Sequence, residues 1–127
     1  MPVGIDTGFF FALEADQQDA TRLWSEEHEI VTSAIVLFEL ERQLLKGRLR
    51  ANHVIEEYLN EIEKVVTVAP VDATIARRAA RITHGAGLHG ADALILATLL
   101  EAGCSKIYTR DQHMMSYHQD GLQIHLI

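Results

Sequence analysis

Short apolar runs alternate with longer stretches of helical period along this chain. Val3-Gly4-Ile5 is apolar and stops at Asp6-Thr7-Gly8, which predicts a buried strand ending where an acid begins. A helical pattern follows from Gly8 to about Leu13 and again from Asp16 to about Glu27, with Leu23 and Trp24 as its apolar contacts. Glu29 to Thr32 reads as a second strand. Ser33 is placed to cap a helix running to about Lys46, with Gly47 as its stop. From Ala51 to about Lys64 the residues Val54, Ile55, Tyr58, Leu59 and Ile62 share one helical face. Val65 to Val71 is rich in β-branched residues and predicts a strand with Pro70 near its end. Asp72 opens a helix through Ile75, Ala79 and Ile82 that is expected to break at Gly85-Ala86-Gly87. Ala91 to Ala102 is apolar on nearly every side, the pattern of a buried helix. Lys106 to Thr109 predicts a fourth strand, and Leu122 to Ile127 a final one.

Strands that alternate with helices predict a central, mainly parallel sheet with helices on both faces. No linker, low-complexity tract or internal repeat interrupts the pattern, so one domain over residues 1–127 is expected. That length is enough for a hydrophobic core without disulfide staples. The only cysteine, Cys104, allows no intrachain bridge and reads as a packing residue, which suits a reducing, cytoplasmic setting. The N-terminal segment lacks a basic region and is interrupted by Asp6, so a signal peptide is not expected. No apolar run approaches the roughly 20 residues of a membrane span.

The net charge of −7 argues against coating nucleic acid by bulk electrostatics. It leaves room for an enzyme that touches RNA through a local basic strip and a metal. In open α/β sheets, ligands bind outside the carboxyl ends of the strands. Asp6 and Asp111 stand at two such ends, Asp92 in the first turn of the most buried helix, and Glu39 within the second long helix. Each has a bland alternative: a helix cap for Asp92, a turn for Asp6 or Asp111, a solvated face for Glu39. If the carboxylates converge, they repel one another unless a cation joins them. Hard oxygen ligands suit Mg²⁺ or Mn²⁺. Glu41 rivals Glu39, because residues two apart on a helix point about 200° away from each other.

The segments VGIDTG at 3–8, TSAIVLFEL at 32–40, ADALILAT at 91–98 and TRD at 109–111 resemble, in order and separation, the successive signatures of a PIN domain. The likeness is greatest to the small stand-alone PIN proteins that act as VapC-type toxins of type II toxin–antitoxin pairs. The resemblance implies a three-layer α/β/α PIN-like fold and a Mg²⁺- or Mn²⁺-dependent endoribonuclease that hydrolyses RNA. It also implies a small antitoxin partner and a homodimer. Carried over by position, Asp6, Glu39, Asp92 and Asp111 form the catalytic acids. Asp6 and Asp92 are metal ligands, Asp111 completes the site directly or through water, and Glu39 binds metal or orients the attacking water. Thr7 and Thr109 match hydroxyl positions that support the site. Gly8 stands where many relatives carry Ser or Asn, which removes one side-chain hydrogen bond.

Arg110, beside Asp111, is placed to reach a substrate phosphate. Arg42, Lys46, Arg48 and Arg50 form one basic stretch and Arg77, Arg78 and Arg81 another; each reads as a solvated helix face or a phosphate contact. His84, His89, His113 and His118 lack the spacing of a zinc pair and read as surface residues. Phe9-Phe10-Phe11 reads as core, with a partner groove as the alternative. A receiver domain lacks the required lysine-terminated strand, and a dinucleotide-binding fold lacks its glycine-rich loop. A catalytically inactive PIN-like protein-binding module is the competing expectation.

Overall fold

A computed structural model of the chain describes residues 2–26, 29–49 and 55–127. Five strands, β1 (Val3–Ile5), β2 (Ile30–Ser33), β3 (Thr67–Ala69), β4 (Lys106–Thr109) and β5 (Gln123–Leu126), form one sheet in the order β3-β2-β1-β4-β5. Every pairing is parallel. The helices are α1 (Thr7–Glu14), α2 (Gln18–Ser25), α3 (Ala34–Leu45), α4 (Ile55–Val65), α5 (Ala73–Ala86) and α6 (Gly90–Glu101). They flank the sheet in a three-layer α/β/α arrangement. A parallel sheet needs both faces covered, and the short runs of β1 and β2 are accordingly buried at every position.

The chain's first strand is also the sheet's centre, with β2 on one side and β4 on the other. This puts Asp6 at the middle of the carboxyl edge. β1 lies so close to α6 that a Cβ added to Gly4 would stand 2.9 Å from Leu99 Cδ1 and 3.2 Å from its Cγ. Leu99 is fully buried, so its methyls would have to shift within the core to admit the new atom. Gly4→Ala should therefore destabilise the fold by about 1–2 kcal/mol, read by urea denaturation. Adding Leu99→Ala should make the two costs sub-additive, because the truncation opens space for the new methyl.

Helix α6 fulfils the expectation of a buried helix: Ala93 and every residue from Ile95 to Leu100 are buried. Its lone interior hydroxyl, Thr98 Oγ1, donates to Leu94 O at 2.7 Å and lies 3.1 Å from Ser33 Oγ. Ser33 also caps α3 through Ile35 N, as its position predicted. The cluster Phe9, Phe10 and Trp24 packs edge-on beneath α1 and α2, so two of the three consecutive phenylalanines are core and Phe11 is half-buried.

Several boundaries differ from the sequence pattern. The strand expected over 65–71 contracts to Thr67–Ala69, because Val65 closes α4 and the Val66 amide still donates to Ile62 O at 2.9 Å. Pro70, with no amide proton, cannot extend it. The helix expected from Asp16 begins at Gln18: Asp16 adopts φ 56°, and the Gln17 side chain caps the helix instead. α5 runs through Gly85 to Ala86 and is capped by Gly87, whose φ of 69° suits glycine. A 3₁₀ turn, η1 (Gln112–Ser116), was not visible in the periodicity. Glu27, Arg50 and the proposed start of the third long helix, with Val54, lie outside the described residues.

Candidate active site

Asp6 leaves β1 at the sheet's carboxyl edge and is 5% exposed. One of its oxygens, Oδ1, accepts from Phe9 N at 3.0 Å and caps α1, so the turn reading and the site reading coincide in one residue. The other, Oδ2, accepts a short hydrogen bond from the Thr109 hydroxyl at the end of β4. The same hydroxyl oxygen accepts from Asp111 N at 2.9 Å. Thr109, buried itself, thus joins Asp6 to the backbone that carries Asp111. Asp111 in turn caps η1, its Oδ1 accepting from His113 N at 2.9 Å.

Glu39 faces the same region from α3. Its Oε1 accepts from the Thr7 hydroxyl at 2.6 Å, and the residue is half-buried, whereas Glu41 is exposed. The geometry therefore separates two acids that helical spacing alone left open. Asp92, half-buried in the first turn of α6, lies within the field of Asp111, Glu39 and Asp6. It does not cap its helix; that position belongs to His89, which makes no side-chain cap.

Crowding and burial show in the acidities. Burial pushes Asp6 up to about 6, opposed by the Thr109 and Phe9 hydrogen bonds and reinforced by Asp111. Asp92 is also pushed up to about 6, first by burial and then by the negative charge of Asp111, with Glu39 and Asp6 adding to it. Oxygen donors of this kind are what a hard divalent cation takes, and a cation would relieve the repulsion. The fit is one of donor chemistry. Among the described residues no three His, Cys, Asp or Glu side chains already stand in a metal-holding arrangement, so an ion would have to draw the carboxylates inward.

The surroundings resolve other expectations. A Cβ added to Gly8 would stand 3.0 Å from Arg110 Cβ and 3.5 Å from Asp6 Oδ1, so glycine lets the β4 end close over the acid. Arg110 is exposed at that rim. Arg42 lies over the Phe38 ring at 5.7 Å and, like Lys46 and Arg48, is an exposed cation at the C-terminal end of α3. Cys104 is buried, and its thiol is pushed up to about 11 by that burial and by Glu29.

His113, which the sequence reads as a surface residue, is exposed and stands beside the acids. Its Nδ1 lies 3.1 Å from Asp111 Oδ1, and its ring stands 6.4 Å from that of His89. The available signal was the two-residue spacing from a strand-ending acid. Only the 3₁₀ turn makes that spacing a contact.

Among the described residues no helix is long and apolar enough to cross a membrane. Comparison with known proteins gives a family and a fold. The model of the PIN domain family matches residues 3–118. VapBC2 from Rickettsia felis, solved with a DNA fragment from its promoter, is similar at TM-score 0.73 and 16% identity, over 99% of this chain and 98% of that one. The VapC20 toxin of Mycobacterium tuberculosis, described as cleaving the sarcin–ricin loop, is similar at TM-score 0.70 and 24% identity, over 93% and 97%. A toxin–antitoxin complex from Klebsiella pneumoniae gives TM-score 0.70 and 19% identity, over 95% of each chain. No curated protein matches the sequence.

Proposed function

Because the chain belongs to the PIN domain family, we propose that it is a Mg²⁺- or Mn²⁺-dependent endoribonuclease, the toxin of a type II pair held in check by a small antitoxin. Residues 1–127 act as one PIN domain in this reading, in the reducing cytoplasm. The observation that carries it is the meeting of Asp6, Glu39, Asp92 and Asp111 at the carboxyl edge, with two of them raised to about 6. Folded proteins rarely keep such repelling groups together without a task for them. The Klebsiella pneumoniae and Rickettsia felis structures of similar fold, both below 25% identity, are in keeping with an antitoxin partner.

In this reading Asp6, Asp92 and Asp111 hold the cation. When bound, it would lower the pKa of a water and stabilise negative charge growing on the phosphate. Glu39 keeps Oε2 for the attacking water, since Thr7 occupies Oε1. The water oxygen bonds to phosphorus as the opposite P–O bond breaks. One water proton passes to the Glu39 carboxylate, and the departing ribose oxygen takes up a proton from solvent. Arg110 contacts the phosphate from the rim. A homodimer is part of the proposal, supported by the exposed Phe38 and Leu45, 59% and 72% accessible on α3.

Thr109 holds Asp6 in place. Thr109→Val keeps the shape, leaves Asp6 Oδ2 and Asp111 N unpaired, and is expected to cost about 10–100-fold in metal affinity or cleavage. A Mg²⁺ titration of cleavage rate reads it. The reading as a whole is tested by incubating RNA with the purified chain and Mg²⁺, Mn²⁺ or EDTA. Cleavage that persists in EDTA would refute the metal mechanism. Tight capture of a partner protein with no cleavage in any metal would favour a protein-binding module.

A further inference from the structure

Between α5 and the end of η1 lies a cleft of about 460 Å³ whose walls include Arg78, Arg81, Ile82, Tyr117 and His118. Among the described residues no acid lines it; Asp120 lines the neighbouring cleft instead. Its aromatic wall is fixed by a chain of polar contacts. Tyr117 Oη donates to Gln119 Oε1 at 2.9 Å, and that same oxygen accepts from Arg78 Nη2 at 3.0 Å. Arg78 is anchored by Glu101 through Nη1 at 3.0 Å. Arg78 is thus spent on holding the ring. Arg81, three residues along the same helix face, is exposed and has no ion pair among the described residues.

η1 connects this cleft to the acids. Its first end is capped by Asp111, and at its other end Ser116 Oγ donates to Ala86 O at 3.2 Å. Five residues of 3₁₀ helix span about 10 Å. A strand laid over the acids would therefore bring a flanking nucleotide to the cleft. Single-stranded RNA is gripped by bases stacking on pre-set aromatic rings and by cations tracking its phosphates. A held ring, an apolar floor at Ile82 and an unpaired guanidinium meet those needs together.

We propose that the α5–η1 cleft is a subsite for a nucleotide flanking the bond to be cut, its base stacked on Tyr117 and its phosphate contacted by Arg81. The inference rests on the ribonuclease reading given above.

The test is fluorescence anisotropy of a 5′-labelled, mixed-sequence single-stranded oligoribonucleotide with the full chain, in EDTA, across a NaCl series. Arg81→Ala is expected to weaken binding about 5–10-fold and to reduce the slope of log affinity against log salt by about 1. Tyr117→Leu is expected to weaken it by roughly 5-fold or more, while Tyr117→Phe keeps the ring and most of the affinity. A general folding defect would not reproduce the salt slope or the Phe rescue. Unchanged RNA affinity in both Arg81→Ala and Tyr117→Leu overturns the subsite; so does a loss confined to binding of a partner protein. Metal-dependent cleavage by the wild type, measured in parallel, separates the two readings. If it persists while the variants bind normally, the subsite falls and the nuclease stands. If the wild type neither binds nor cuts RNA, both fall.

Discussion

Asp92→Asn is expected to lower metal-dependent RNA cleavage by about 10²–10³-fold while raising the melting temperature of the metal-free protein. The two effects have one cause. Asp92 is half-buried beside Asp111, with Glu39 and Asp6 close enough to raise it to about 6. Asparagine removes the charge that burial, first, and then these neighbours resist. The shift from 3.8 to about 6 corresponds to roughly 3 kcal/mol at full value. The side chain is partly exposed, so screening leaves about 1 kcal/mol, or roughly 3–5 °C. A cleavage time course and a thermal melt on one preparation check both. An inactive variant that melts lower than the wild type would show that Asp92 is a structural anchor.

On the proposed metal reading, removing the cation has the second large effect, and its sign depends on pH. Asp6 and Asp92 titrate near about 6 in the fold and near 3.8 when unfolded. An acid raised by folding binds its proton more readily in the folded state, so these groups cost stability fully above about 6. The cost fades as pH falls towards 3.8. The metal-free protein is therefore expected to gain stability from these two groups between pH 7 and pH 4. At pH 7.5, Mg²⁺ or Mn²⁺ at a hundred times its dissociation constant adds about 2.7 kcal/mol, roughly 10 °C. At pH 5 protons occupy the same oxygens, and most of that gain should vanish. Melting curves with metal and with EDTA at the two pH values decide it. An Asp6→Asn variant that responds to metal as the wild type does would place the ion elsewhere.

How much of this was legible in the sequence follows from how local each signal is. β1 is an apolar run cut off by an acid, β4 ends two residues before one, and α6 is apolar on nearly every side; these patterns survive folding. The meeting of Asp6 with Asp111 was an inference from topology, and the Thr109 hydroxyl between them needed the register of β1 on β4. Glu39 and Glu41 are indistinguishable by composition; the Thr7 contact, made across 32 residues, separates them. η1 is five residues long and has no hydrophobic period to read. His113, Tyr117 and the Arg78–Gln119 link became visible only with it. The overlong strand at 65–71 arose because β-branched residues also close helices, as Val65 does.

The grip of Thr109 on Asp6 spans 103 positions of sequence. On a growing polypeptide, Asp6 is therefore made 103 residues before Thr109. Until residues 106–111 have been made, β1 lacks β4 beside it, and Asp6 lacks both Thr109 and Asp111. The order of synthesis itself thus delays the joining of Asp6 to Thr109 and Asp111.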